Sequence, residues 1–186
     1  MSRVQDALDR AGAAGFTISS EPPAGPLLAV LAAAVPPGGR ILEIGTGTGV
    51  GLAWLVEGLG GRTDVEVRSV EHDPRLGRLA AEADWPENVT LHEGDVLDLL
   101  DTLGTFDLIF ADAEGGKWHG LDRTIAALAP GGHLLVDDMA TAHEQTARVR
   151  DTLLTHPGLT VVELACGTGL ILATRNRQGA GTDGSP

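Results

Sequence analysis

Short apolar runs of β character alternate with helical patterns along most of the chain, and this alternation limits the fold more than any other feature. Strands are expected at residues 40–44, 66–70, 89–92, 106–111 and 132–136. Each is followed by a helical stretch: to about residue 59, then across 74–83, 96–103, 121–128 and 142–154. Two more β runs, 161–165 and 170–174, flank Cys166-Gly167-Thr168-Gly169, which reads as a hairpin. Five β-α units with a terminal hairpin imply an α/β fold. The sheet has seven strands, mostly parallel, with helices on both faces and an antiparallel hairpin at its C-terminal end. The runs Leu108-Ile109-Phe110-Ala111 and Leu134-Leu135-Val136 are wholly apolar, as strands covered on both faces should be.

The N-terminal part is helical instead. Val4, Ala7, Leu8 and Ala11 share one face of a short amphipathic helix over residues 3–11. Ser19-Ser20-Glu21-Pro22-Pro23 is a helix-start signal, and the helix it opens runs to about Val35. One domain over residues 1–177 is expected, with 1–39 as a helical cover on a 40–177 core. The Gly/Ser/Pro-rich residues 178–186 read as a disordered tail.

In an open α/β sheet, ligands bind beyond the carboxyl ends of the strands. That rule selects residues 45–49, Glu71, Asp95, Asp112 and Asp137-Asp138. The first strand runs into Gly45-Thr46-Gly47-Thr48-Gly49, where glycines permit a tight turn and a close ligand approach. The dinucleotide fingerprint requires a third glycine three positions after the second, and Val50 stands there instead. Glu71 lies 22 residues past Gly49, near the spacing of an acid that accepts hydrogen bonds from ribose hydroxyls. Asp73 before Pro74 reads as a helix cap, which leaves Glu71 free. Asp95 is either a helix cap or an acceptor for an adenine amino group.

The charge balance narrows the partners. Asp and Glu number 26 against 13 Lys and Arg, a formal net charge of −13. Such a chain repels nucleic-acid phosphates and anionic membranes. No apolar stretch is long enough to span a bilayer, so no membrane association and a cytoplasmic location are expected. Cys166 is the single cysteine, which excludes an intramolecular disulfide framework, and the lack of tyrosine excludes a tyrosine acid or base.

The ordered set LEIGTGTG, VEHDP, EGDV, FDLIFADA and GGHLLVDD resembles the class I S-adenosylmethionine-dependent methyltransferases. It looks most like the small O-methyltransferases of the catechol and caffeoyl-CoA type. The resemblance covers roughly residues 19–174 and implies a Rossmann-like sheet and transfer of a methyl group to the hydroxyl of a small molecule. It further implies that Glu43, Gly45, Thr46 and Gly47 surround the methionine part of S-adenosylmethionine, that Gly49 also binds the cofactor, that Glu71 holds the ribose, and that His72, Asp95 and Val96 meet the adenine. Asp112 would stand beside the sulfonium and the acceptor, and Ser20 and Glu21 would close over the site. A homodimer is also implied, since relatives are often dimers.

In the catechol-type relatives an acid and an Asp-Asn pair hold a divalent cation. The matching residues are Asp112, Asp137 and Asp138, three oxygen donors suited to Mg²⁺ or another hard cation. Asp138 in place of Asn is a departure. The relatives carry a base lysine three residues after the first acid. Here Gly115 holds that position, and Lys117, the only lysine of the chain, follows two residues later. Lys117 is either the base or a solvated loop lysine, and His119 is a second candidate base. Trp118 offers an aromatic wall for a planar acceptor or plain packing, and His143 lies in a segment able to cover it. Competing readings are a non-catalytic or N-methylating domain on the same cofactor and, more distantly, a nucleotide-dependent oxidoreductase.

Overall fold

The computed structural model describes residues 2–16, 20 and 22–177. Glu21 and the 178–186 tail, both subjects of expectations above, lie outside the described residues. Strands β1 (Arg40–Ile44), β2 (Glu66–Glu71), β3 (Val89–Glu93), β4 (Phe106–Ala111), β5 (Leu128–Val136), β6 (Leu159–Leu164) and β7 (Leu170–Arg175) form one sheet in the order β3-β2-β1-β4-β5-β7-β6. The first five pair in parallel, and β7 runs antiparallel to both β5 and β6. The order reverses between β1 and β4, so the crevice expected for a ligand opens over Ile44 and Ala111.

Helices α3 (Val50–Leu59), α4 (Pro74–Ala81), α5 (Val96–Leu103), α7 (Leu121–Ala126) and α8 (Glu144–Thr155) connect the strands, and a kinked turn, α6 (Glu114–Lys117), precedes α7. Alternate residues of the central strands feed two cores. Leu42, Ile44, Ile109 and Leu134 face one, and Ile41, Leu108, Phe110 and Leu135 face the other. All of these are essentially inaccessible, which fits strands covered on both faces. Helices α1 (Arg3–Ala13) and α2 (Ala24–Ala34) lie against α3. Val4, Ala7 and Ala11 bury against Val50 and Ala53, so the small residues of the amphipathic face set a close helix–helix approach. Among the described residues no helix is long and apolar enough to cross a membrane.

Most expected elements stand within two residues of their forecast bounds. The largest difference lies at β5, which begins at Leu128 instead of residue 132. Phe106 pairs with Leu128 and Leu108 with His133, so the strand carries an irregularity at Pro130-Gly131-Gly132 and pairs on both sides of it. α2 begins at Ala24 with Pro23 at its cap position and no side-chain cap.

Candidate active site

The strand-end crevice holds two cavities that share Gly45, Glu71, His72, Ala113 and Glu114 as common walls. The first, of about 330 Å³, continues past Val70, Asp95, Val96, Leu97 and His119. The second, of about 250 Å³, continues past Phe16, Ser20, Thr46, Gly47 and Asp112. Gly45 is required at the junction. Its φ is +97°, and a Cβ there would lie 2.8 Å from the Asp112 carbonyl oxygen. The loop therefore hugs β4, with Gly45 N–H donating to Val70 O at 2.9 Å and Asp112 N–H to Ile44 O at 2.9 Å.

Glu71 fastens this loop. One carboxylate oxygen accepts from Gly47 N–H at 2.7 Å and the other from Asp73 N–H at 2.9 Å. Asp73 caps α4 through Arg75 N–H, as its place before Pro74 indicates. Asp95 follows β3. It caps α5 through Leu97 N–H at 2.8 Å and also lines the first cavity. His72 is largely exposed beside Glu71. Gly49 is not brought to either cavity: it starts α3 with a left-handed φ and faces Trp85 and Arg10.

Glu43 lies beneath the loop and is fully buried. Ser69 donates its hydroxyl to Glu43 Oε2, while Oε1 has no partner. Burial, followed by the nearby Asp112 and Glu71 charges and against the Ser69 hydrogen bond, raises its carboxyl to about 8. A buried unpartnered acceptor and an acidic surround suit a cationic ligand above them.

Asp112, Asp137 and Asp138 converge at the ends of β4 and β5, as expected. The cation among them is Lys117. Its ammonium lies 3.1 Å from Asp138 Oδ2 and 4.0 Å from Asp112 Oδ1, and donates to Asp137 O at 3.3 Å. Lys117 is only 2% exposed, which removes the reading as a solvated loop lysine. Asp137 Oδ1 already accepts from Asp138 N–H and from the Thr168 hydroxyl of the β6–β7 hairpin. Burial and the adjoining Asp137 charge, opposed by Lys117, raise Asp112 to about 8. Burial also raises Asp137. Among the described residues, no group of three or more His, Cys, Asp or Glu side chains is arranged to hold a metal ion. The trio does not fit a divalent cation as it stands, because an ammonium takes its place.

His119 is separated from this cluster and lines the first cavity instead. Trp118 borders neither cavity: it stacks on His143 with ring centroids 5.2 Å apart. Sequence reasoning missed Phe16, whose ring would meet a Cβ at Gly47 at 3.1 Å and which walls the second cavity. A lone aromatic just after α1 was its only signal. It missed Thr168 too, since nothing local links a hairpin threonine to Asp137.

The model of a methyltransferase domain matches residues 42–139, from β1 to just beyond β5. The chain belongs to the methyltransferase family. A relative from Mycolicibacterium vanbaalenii, provisionally named an O-methyltransferase, is 30% identical over 176 residues, covering 83% of this chain and 76% of its own. The O-methyltransferase TomG of Streptomyces achromogenes, involved in tomaymycin synthesis and solved in complex with SAM, is similar at TM-score 0.80 and 25% identity, covering 95% of this chain and 90% of its own. Cofactor-bound Rv0187 from MTB is similar at TM-score 0.81 and 27% identity over the same shares of the two chains, 95% and 90%. The methyltransferase is a class I, S-adenosylmethionine-dependent O-methyltransferase.

Proposed function

We propose that this O-methyltransferase acts on the hydroxyl of a small molecule, with its cofactor spanning both cavities. The supporting observation is their junction at Gly45 and Glu71, directly over the switch point between β1 and β4. The adenosine part would occupy the first cavity. There Glu71 accepts from the ribose, Asp95 offers its second oxygen to the adenine edge, and Val96, Leu97 and His119 form the wall. The methionine part would occupy the second, under Phe16 and Ser20 and against the backbone of residues 45–47. When bound, S-adenosylmethionine supplies a methyl group activated by a sulfonium, which an acceptor hydroxyl takes by in-line displacement.

The chain's residues do the positioning. Glu71 holds the glycine loop in shape before any ligand arrives, so little ordering remains to be done on binding. Glu43 and Asp112 put carboxyl groups beneath and beside the sulfonium position, where partial or full negative charge favours a cation. An acceptor would enter beside Asp112. A small molecule suits that opening, and TomG's part in tomaymycin synthesis is an example within the family.

Calorimetric titration with S-adenosylhomocysteine, with and without Mg²⁺, tests the reading. Binding is expected in both conditions. Absence of binding in both would overturn it.

A further inference from the structure

We propose that the Lys117 ammonium is the built-in cation of the acceptor end of this site, standing where the catechol-type resemblance puts a divalent metal, so that the enzyme works without one. The inference rests on the O-methyltransferase reading above for what the site does, but its own observation is the lysine.

A hard divalent cation needs six or more oxygen ligands at close range, and carboxylates at strand ends are the natural source. Here two of the three carboxylates, Asp137 and Asp138, already take hydrogen bonds from within the protein, and the third, Asp112, faces the same ammonium. Lys117 Nζ contacts Asp138 Oδ2 at 3.1 Å, Asp137 O at 3.3 Å and, at ion-pair distance, Asp112 Oδ1 at 4.0 Å. Asp137 Oδ1 is turned to Asp138 N–H and the Thr168 hydroxyl. Entry of a metal would require expelling a side chain that is 2% exposed.

The local backbone is shaped to deliver that side chain. Gly115 is extended at ψ 133° and Gly116 is left-handed at φ +80°, which breaks α6 and turns Lys117 inward. Thr124 Oγ1 then donates to Gly116 O at 2.8 Å, and Gly116 N–H donates to His119 O at 2.7 Å. A Cβ at Gly116 would lie 2.9 Å from Ile44 Cδ1, so the turn is fitted to the sheet. On the facing strand end, Asp138 is the one non-glycine residue with positive φ, at 62°, among the described residues. A short polar residue tolerates that conformation, and from it the carboxylate pairs with Lys117. The Trp118 ring lies 5.6 Å from the ammonium on another side. Two unusual backbone positions on separate elements thus serve one ion pair.

Lys117 borders neither cavity, whereas Asp112 borders the second. Lys117 is therefore a positioning residue: it acts on the reaction through its ion-pair contact with Asp112 and offsets part of the charge of the acids behind it. The single ammonium also lacks the free coordination positions with which a metal grips two neighbouring oxygens, so a vicinal diol is not required of the acceptor.

Mn²⁺ uptake by the full-length protein, followed by electron paramagnetic resonance, provides the test. The wild type is expected to take up no Mn²⁺, and its turnover to be unchanged by EDTA. Lys117→Met should leave three acids without their cation and bind Mn²⁺ at least about tenfold more tightly than the wild type. Stoichiometric Mn²⁺ uptake by the wild type, or loss of its turnover in EDTA, would overturn the proposal. So would a folded Lys117→Met protein that gains no Mn²⁺ affinity. If that variant fails to fold, the wild-type measurements decide alone. Titration of the same samples with S-adenosylhomocysteine reports separately on the cofactor reading.

Discussion

At the end of the crevice proposed for the cofactor, Glu71 and Asp95 meet open cavities above the buried Glu43, and no lysine or arginine pairs with any of the three among the described residues. At the acceptor end, Asp112, Asp137 and Asp138 close around Lys117. Both ends use the same chemistry, carboxylates at the C-terminal ends of parallel strands. One end leaves its carboxyl groups without a protein cation, open to a ligand that brings a positive centre. The other supplies the positive centre itself. A surplus of acids at strand ends is therefore not enough to infer a metal; the place of the nearest ammonium decides.

The largest expected effect sharpens the contrast through pH. Glu43 has no cation beside it, and burial raises it from 4.5 to about 8. Between those values the native protein keeps a proton that the unfolded chain releases, so the native state binds more protons. Stability of the ligand-free protein should therefore fall as pH rises from about 4.5 to 8 and level off above. Glu43's share of the slope is at most about 1.4 kcal/mol per pH unit, which sums to a few kcal/mol. Asp112, also raised to about 8, adds a share of the same sign, so Glu43→Gln should reduce the slope and leave the Asp112 part, read by urea denaturation at pH 5 and pH 8. An unchanged slope would mean that Glu43 is not the group responsible.

Next comes the carboxylate that shapes the cofactor end. Glu71→Ala removes the acceptor for two backbone N–H groups as well as the proposed ribose contact. Hydrogen bonds to charged groups contribute roughly 1.5–3 kcal/mol, so affinity for S-adenosylhomocysteine should fall about 10- to 100-fold. Melting temperature should fall as well, since the same two backbone bonds hold the loop in the free protein. Equal losses in binding and stability would make Glu71 a structural clasp and little more.

The acceptor end answers to its backbone. Gly116→Ala would strain a left-handed position and drive a methyl group against Ile44 and Thr124. A loss of about 1–3 kcal/mol in stability is expected, with a lower melting temperature. If the variant were as stable as wild type, the turn carrying Lys117 would be looser than described.

How much of this was legible in the sequence differs between the two ends in the same way. The strands at Arg40–Ile44 and Phe106–Ala111 and the helix at Val96–Leu103 have the expected bounds, because apolar runs and caps declare them locally. The spacing of Glu71 and the cap at Asp73 were equally local. β5 was not, since pairing with β4 carries it across Pro130-Gly131-Gly132, which by themselves signal a stop. Lys117 was found as the odd lysine in an arginine-rich chain. Its burial depends on φ and ψ at Gly115 and Gly116 and on Asp138 of another strand, and no periodicity encodes those.

The smallest effect concerns His119, and it tests whether the division itself holds. As a candidate base, His119 belongs with Asp112 and the acceptor. In the fold it is exposed and borders the first cavity together with Val96 and Leu97. Its backbone, not its ring, is what ties it to α6, through Gly116 N–H to His119 O and His119 N–H to Glu114 O. Those bonds survive truncation. His119→Ala should therefore change affinity for S-adenosylhomocysteine by only about two- to threefold, as for a partly exposed contact worth about 0.5 kcal/mol. Its kcat at saturating cofactor should equal that of wild type. A kcat reduced by about 100-fold or more, the size of effect that loss of a general base brings, would place proton transfer at the cofactor end. The two ends would then share the chemistry, and Lys117 would no longer mark where it happens.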